Sequence, residues 1–281
     1  MCDQDHFEED LKKYSRRDMG ALAAGVGAAM MLPRAANAAE VSEREVEITT
    51  PDGTCDAYFA APSEGKHAAV LIWPDIFGLR PAFKGMAKRL AESGYSVVVV
   101  NPYYRKQKAP QGDDGGGMSF GDVRPLAQSL SAETHSTDAK AFVKWLDEQS
   151  QVDTSKKVGT TGYCMGGPIV FRTAAAVPDR IGAAATFHGG GLTKDGPDSP
   201  HRLIPKMKAQ FLICVAENDD QRDPKSKTIL KESFAAADLN AEIEVYPAGH
   251  GWCPPDSRVY NKEQAEKAWS RLLKLFEGAL A

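Results

Sequence analysis

Six short apolar runs alternating with segments of helical period decide what this chain can fold into. Ala68–Trp73, Tyr95–Val100, Lys157–Gly162, Ile181–Phe187, Gln210–Ala216 and Ala241–Tyr246 read as strands of a parallel sheet buried on both faces. Between them, Phe83–Glu92, Thr134–Glu148, Gly167–Ala176, Lys227–Ala237 and Gln264–Phe276 space their apolar residues as helices do. Ahead of the first run, Val46 and Ile48 alternate up to a turn at Pro51-Asp52-Gly53, and the chain returns through Tyr58-Phe59. That is an antiparallel hairpin at a sheet edge. The pattern predicts an α/β chain with a doubly wound, mostly parallel sheet and an N-terminal antiparallel hairpin. Its functional site belongs at the carboxyl ends of the strands. Neither an internal repeat nor a long linker interrupts it, which predicts one domain over residues 39–281.

Charge and cysteine usage narrow the function classes. With 34 Lys and Arg against 38 Asp and Glu, the formal net charge is -4. There is no basic excess for a phosphate backbone, so nucleic acid is not an expected partner. The five cysteines, Cys2, Cys55, Cys164, Cys214 and Cys253, lie far apart with no C-x-x-C pair. That spacing excludes a disulfide scaffold and a four-ligand zinc site, and His250-x-x-Cys253 has no second half; no metal is expected. Cys55 in the hairpin and Cys214 inside a strand read as plain core.

The first 38 residues read as an address. Arg16-Arg17 precedes a small apolar stretch from Met19 to Pro33, which closes on the A-x-A site Ala36-Asn37-Ala38. The paired arginines resemble a bacterial twin-arginine signal, although Met19 and Gly20 stand where such signals usually carry Phe and Leu. The apolar stretch falls short of the roughly 20 residues that span a bilayer. Residues 15–38 are thus expected to engage the twin-arginine export machinery. Cleavage near Ala38 would leave a periplasmic or otherwise exported protein with no stable membrane insertion. It would have 243 residues and a net charge of -3.

The strand–helix junctions carry the chemistry. Lys157–Thr161 runs into Gly162-Tyr163-Cys164-Met165-Gly166-Gly167 and then an apolar helix. This is G-x-C-x-G, a nucleophile elbow with sulfur in place of the serine oxygen. Side chains two positions before or after the nucleophile would strike the neighbouring strand and helix, so glycine is required there. The helix N-terminus behind Cys164 favours a thiolate. In such folds an acid and then a histidine follow the nucleophile. The strand Phe211–Val215 ends in Ala216-Glu217-Asn218-Asp219-Asp220, and Ile243–Tyr246 ends in Pro247-Ala248-Gly249-His250-Gly251. His250 is then the base and Asp219 its orienting partner, with Asp220 the alternative acid. The oxyanion hole falls to the N–H groups of Met165 and, in the early loop Trp73-Pro74-Asp75-Ile76-Phe77-Gly78, of Ile76. Gly112–Gly121 reads as a flexible surface loop, and His188-Gly189-Gly190-Gly191 as an ordinary strand-end loop.

These residues resemble the dienelactone hydrolases (carboxymethylenebutenolidases), from about Glu45 to the end of the chain. The resemblance rests on the elbow, Ala248-Gly249-His250, the Asp219 strand end and Pro74-Asp75-Ile76-Phe77-Gly78. It implies an α/β-hydrolase fold and a Cys164-Asp219-His250 triad that opens enol-lactones without a cofactor. It also implies a supporting carboxylate at Asp75, where the family often has Glu. The family's arginine four residues beyond the histidine is Pro254 here, and the nearest later one is Arg258, so the resemblance leaves open whether the substrate is anionic. A second class stays open beside the cysteine hydrolase of lactones or small esters: a non-catalytic or redox-sensing, ligand-binding member of the fold.

Overall fold

The computed structural model describes residues 32–33, 38–109 and 120–281. Eight strands form one sheet: β1 (Val41–Thr50), β2 (Gly53–Pro62), β3 (Ala69–Trp73), β4 (Ser96–Val100), β5 (Val158–Tyr163), β6 (Ile181–Phe187), β7 (Gln210–Ala216) and β8 (Ala241–Tyr246). Their order across the sheet is β1-β2-β4-β3-β5-β6-β7-β8. The hairpin pairs Val41 with Pro62 through Thr50 with Gly53, and β2 joins β4 antiparallel. From β4 to β8 every pairing is parallel. This is an α/β-hydrolase fold, as expected.

The helices are α1 (Pro81–Glu92), α2 (Phe120–Gln128), α3 (Ala132–Asp147), α4 (Gly166–Ala176), α5 (Glu217–Arg222), α6 (Ser226–Ala236) and α7 (Lys262–Ala279), with a 3-10 segment at Pro200–Lys206. Local chemistry sets several starts. Pro81 opens α1, where a missing N–H costs nothing. Ser131 and Thr134 close a capping box at α3, and Asn261 accepts from the Gln264 N–H at α7. On α7, Ala268, Leu272 and Phe276 recur every fourth residue and are buried against the sheet. They pack with Phe83 and Leu90 of α1 on one face. Phe142 of α3, Phe171 of α4 and Phe234 of α6 cover the other. Burying each such ring contributes about 2–3 kcal/mol, and the covered faces leave the strand ends as the place for a site.

One local expectation changes. The segment predicted as a loop over Gly112–Gly121 lies mostly outside the described residues, but its end belongs to α2, which starts at Phe120. Pro125 inside α2 argues against helix locally. Phe120 and Val123 nonetheless bury against Ile76, and that tertiary packing decides. After β7, Glu217–Arg222 forms the short helix α5. The twin-arginine pair lies outside the described residues. Of the apolar stretch, Leu32 packs partly buried against the α1–α7 face. Among the described residues, no helix is long and apolar enough to cross a membrane.

Candidate active site

β5 delivers Cys164 onto a turn so tight that its φ is +51°, a left-handed value rare outside glycine. The Cys164 N–H donates to the Phe187 carbonyl at 3.0 Å, and its own carbonyl accepts from the Gly167 N–H at 3.1 Å. A Cβ on Gly162 would strike the Gly166 carbonyl, and one on Gly166 would stand 2.5 Å from the Trp73 carbonyl oxygen. Both glycines are therefore steric requirements of the elbow. Cys164 is buried and, in this structure, disulfide-bonded, so the nucleophilic chemistry of its sulfur belongs to the reduced form. Cys55, Cys214 and Cys253 are free and buried, and burial pushes all three thiols well up.

The strand order puts the exits of β5, β6, β7 and β8 side by side. At the β7 and β8 exits, the Glu217 N–H donates to the Ala248 carbonyl at 3.1 Å, tying the two loops together. His250 Nδ1 lies 2.7 Å from Asp219 Oδ2, with the two side chains only 11% and 12% exposed. Asp220 faces elsewhere, and both its oxygens accept from Lys227 Nζ at 2.6–2.7 Å. Of the two carboxylates left open by the sequence, Asp219 is the one that meets the histidine. Asn218 is a residue the sequence reading missed: its Oδ1 accepts from the His250 N–H at 2.9 Å and fixes the loop backbone.

His188 was also missed as part of the site. It follows β6 with φ +43°, its N–H donates to the Cys214 carbonyl at 2.8 Å, and it is fully buried. Its ring stands between Tyr163 (centroids 6.1 Å) and His250 (5.2 Å), with Trp252 at 5.0 Å. Burial, with His250 alongside, pushes His188 well below the ordinary imidazole range. It is a neutral wall beside the candidate base. The sequence signal was present as His188 before three glycines, read there as an ordinary loop.

The early loop holds its predicted parts in place. Asp75 accepts from the Phe77 N–H at 2.9 Å, and both its oxygens accept from the Arg80 guanidinium at 2.7 and 2.9 Å. Arg80 also pairs with Asp256. Tyr103 donates its hydroxyl proton to the Ile76 carbonyl at 2.7 Å and lies 3.3 Å from the Met165 sulfur, so one buried phenol touches both residues of the predicted oxyanion hole. The N–H groups of Ile76 and Met165 donate to no acceptor among the described residues. Free N–H groups, one at the start of α4 and one in the early loop, are what an incoming oxyanion needs.

A cavity of ≈ 340 Å³ opens beside the elbow, lined by Cys164 and Met165 but by none of the other predicted site residues. Its far wall comes from α2, α3, α4 and the loop after β6, including Gly190 and Gly191.

Comparison with known proteins gives one consistent outcome. The model of the dienelactone hydrolase family matches residues 55–280. A carboxymethylenebutenolidase of Rhodococcus opacus is 27% identical over 237 residues, covering 81% of this chain and 88% of its own. Two solved structures share the fold. A dienelactone hydrolase-like promiscuous phosphotriesterase from metagenomic libraries superposes with TM-score 0.70 at 21% identity, covering 86% of this chain and 99% of its own. The dienelactone hydrolase of Anabaena variabilis gives 0.64 at 15% identity, with the same coverages.

Proposed function

Since this chain belongs to the dienelactone hydrolase family, we propose that it is a cysteine-dependent hydrolase of lactones or small carboxylic esters. The observation that carries the reading is the 2.7 Å Asp219–His250 pair at the strand exits beside the Cys164 elbow. In the reduced enzyme, Cys164 passes its proton to His250, and the sulfur attacks the carbonyl carbon. Charge accumulates on the carbonyl oxygen, where the N–H groups of Met165 and Ile76 receive it. The C–O bond then breaks as His250 protonates the leaving alkoxide, which leaves a thioester. Asp219 holds His250 in one tautomer and stabilises its cation. Water, deprotonated by His250, attacks the thioester, releases the acid and restores the thiol. In a lactone the leaving alkoxide stays attached, and the product is a linear hydroxy or, from an enol, oxo acid. Asp75 serves through Arg80, bracing the loop that presents Ile76. No step calls for a cofactor.

The test is hydrolysis of an activated nitrophenyl ester under reductant by wild type and Cys164→Ala. Loss of turnover in the variant is expected, and equal turnover would sink the reading. A second reading draws on the disulfide at Cys164, namely reversible capping of this thiol in an oxidising compartment. Mass spectrometry finding Cys164 only as free thiol after peroxide would count against it. We also assign residues 1–38 to export. Arg16→Lys with Arg17→Lys should hold the chain in the cytoplasm, and unaltered export would remove the assignment.

A further inference from the structure

Among the described residues, arginines that are not exposed are neutralised, with one exception. Arg80, Arg89, Arg105, Arg180 and Arg271 each close a salt bridge with a carboxylate. Arg172, on α4 and only partly accessible, closes none. Its Nη1 donates to His135 Nδ1 at 3.1 Å, and its Nη2 reaches the Asp198 backbone carbonyl at 3.5 Å. Its Nε is buried with no hydrogen-bond partner among the described residues. Burial disfavours the cation, and the Asp198 carboxylate favours it without closing an ion pair with it. Leaving a guanidinium this way is costly unless something else takes it up.

The anchor is informative. His135 is buried at the start of α3, and burial together with Arg172 and Arg105 pushes it down to about 3. It is neutral at any physiological pH and accepts through Nδ1. Arg172 is thus held in place by a group that does not cancel its charge. Arg172, His135 and Cys164 all line the same cavity, together with Lys194, Asp195 and Asp198. Arg172 lies six residues into α4 from Gly166, a rise of about 9 Å, and long helical side chains lean back toward the N-terminus. The guanidinium is therefore set roughly 6–10 Å along the cavity from the elbow.

We propose that Arg172 is a specificity-determining residue that binds an anionic group of the substrate, carried on a chain extending away from the scissile carbonyl along α4. The substrate class is an elongated ester or lactone with a carboxylate or similar anion at its far end. The position is distinct from the one four residues past His250, which is Pro254 here and supplies no cation. The guanidinium fork suits a carboxylate, and a charge-assisted pair in a partly dry cavity corresponds to about tenfold or more in kcat/KM.

The proposal rests on the ester-hydrolase reading, and the experiment separates the two. Mono-nitrophenyl esters of succinate, adipate and suberate are compared with neutral nitrophenyl esters of matching chain length. Wild type should favour the anionic ester, most strongly for adipate or suberate. Arg172→Gln should cut the anionic-to-neutral ratio of kcat/KM by about tenfold or more, chiefly through KM. Arg172→Glu should turn the preference against the anion. If wild type hydrolyses none of these esters, the hydrolase reading fails. If it hydrolyses the neutral esters and the ratio is near one at every length, or is unmoved by Arg172→Gln, this proposal fails alone. Should the variants not fold, competitive inhibition of wild type decides. Suberate should inhibit more strongly than succinate and octanoate, and equal inhibition would overturn the proposal.

Discussion

Replacing Asp219 with Asn while leaving Asp220 untouched isolates the acid of the proposed triad. The carboxylate stands 2.7 Å from His250 Nδ1, and both side chains are nearly nine-tenths covered, so solvent screens the pair weakly. At an effective dielectric of about 20 and about 4 Å between charge centres, an imidazolium gains about 4 kcal/mol from that carboxylate. The gain applies when His250 is charged and vanishes when it is neutral. Asn keeps a dipole but offers either its oxygen or its amide to the ring, so both the charge and the fixed tautomer are lost. Asp219→Asn should therefore slow kcat/KM about a hundredfold to a thousandfold. Asp220→Asn is the control: its oxygens belong to Lys227, and its removal should change the rate less than about threefold. The assay is nitrophenyl acetate hydrolysis under reductant, with thermal melts to confirm that both variants are folded. A rate for Asp219→Asn within threefold of wild type, or equal losses at the two positions, would refute the reasoning.

Three further outcomes follow from the geometry. Tyr103→Phe removes the 2.7 Å bond to the Ile76 carbonyl. It should lower kcat about five- to tenfold with little change in KM, since one such bond is worth about 1 kcal/mol or slightly more; an unchanged kcat would mean that the loop needs no bracing there. Gly166→Ala places a Cβ 2.5 Å from the Trp73 carbonyl oxygen. The protein should lose about 3 kcal/mol or more in urea unfolding, and a wild-type midpoint would show that the elbow can spread. His135 is held neutral with its pKa lowered to about 3. An unfolded chain takes up that proton near the ordinary value while the folded one does not. The contribution is thus complete above the unfolded pKa and is lost as pH falls toward the folded one. Between pH 7 and 5 this amounts to about 2 kcal/mol, and His135→Gln should remove that much of the pH dependence of stability; an unchanged slope would show that His135 does not titrate between the two states.

Much of the fold was legible because the information is local. Continuous apolar strands, glycine-bounded turns and four-residue spacing on α7 are written into consecutive residues, and Ile181–Phe187, Gln210–Ala216 and Ala241–Tyr246 coincide with the strands found. Helix α2 was not legible, because Pro125 and the glycines before it oppose helix locally while burial of Phe120 and Val123 against Ile76 favours it from a distance. The elbow was readable because its glycines are steric necessities of a single turn. Naming Cys164, Asp219 and His250 as candidates needed only the order of motifs along the chain.

Choosing between Asp219 and Asp220 needed the tertiary structure, since which of two adjacent carboxylates meets His250 depends on how α5 turns out of β7. The same holds for His188, whose neutral ring matters only because β6 lies beside β5 and β7. Arg172 is the clearest case. On α4 it reads as one more helical arginine. That it closes no salt bridge is a property of its surroundings, where its partner is a neutral histidine contributed from α3, 37 residues earlier in the chain. Sequence determines which groups are available and which local shapes they prefer. Packing alone decides which charges are left unpaired, because that depends on the sum of neighbours brought together from distant parts of the chain.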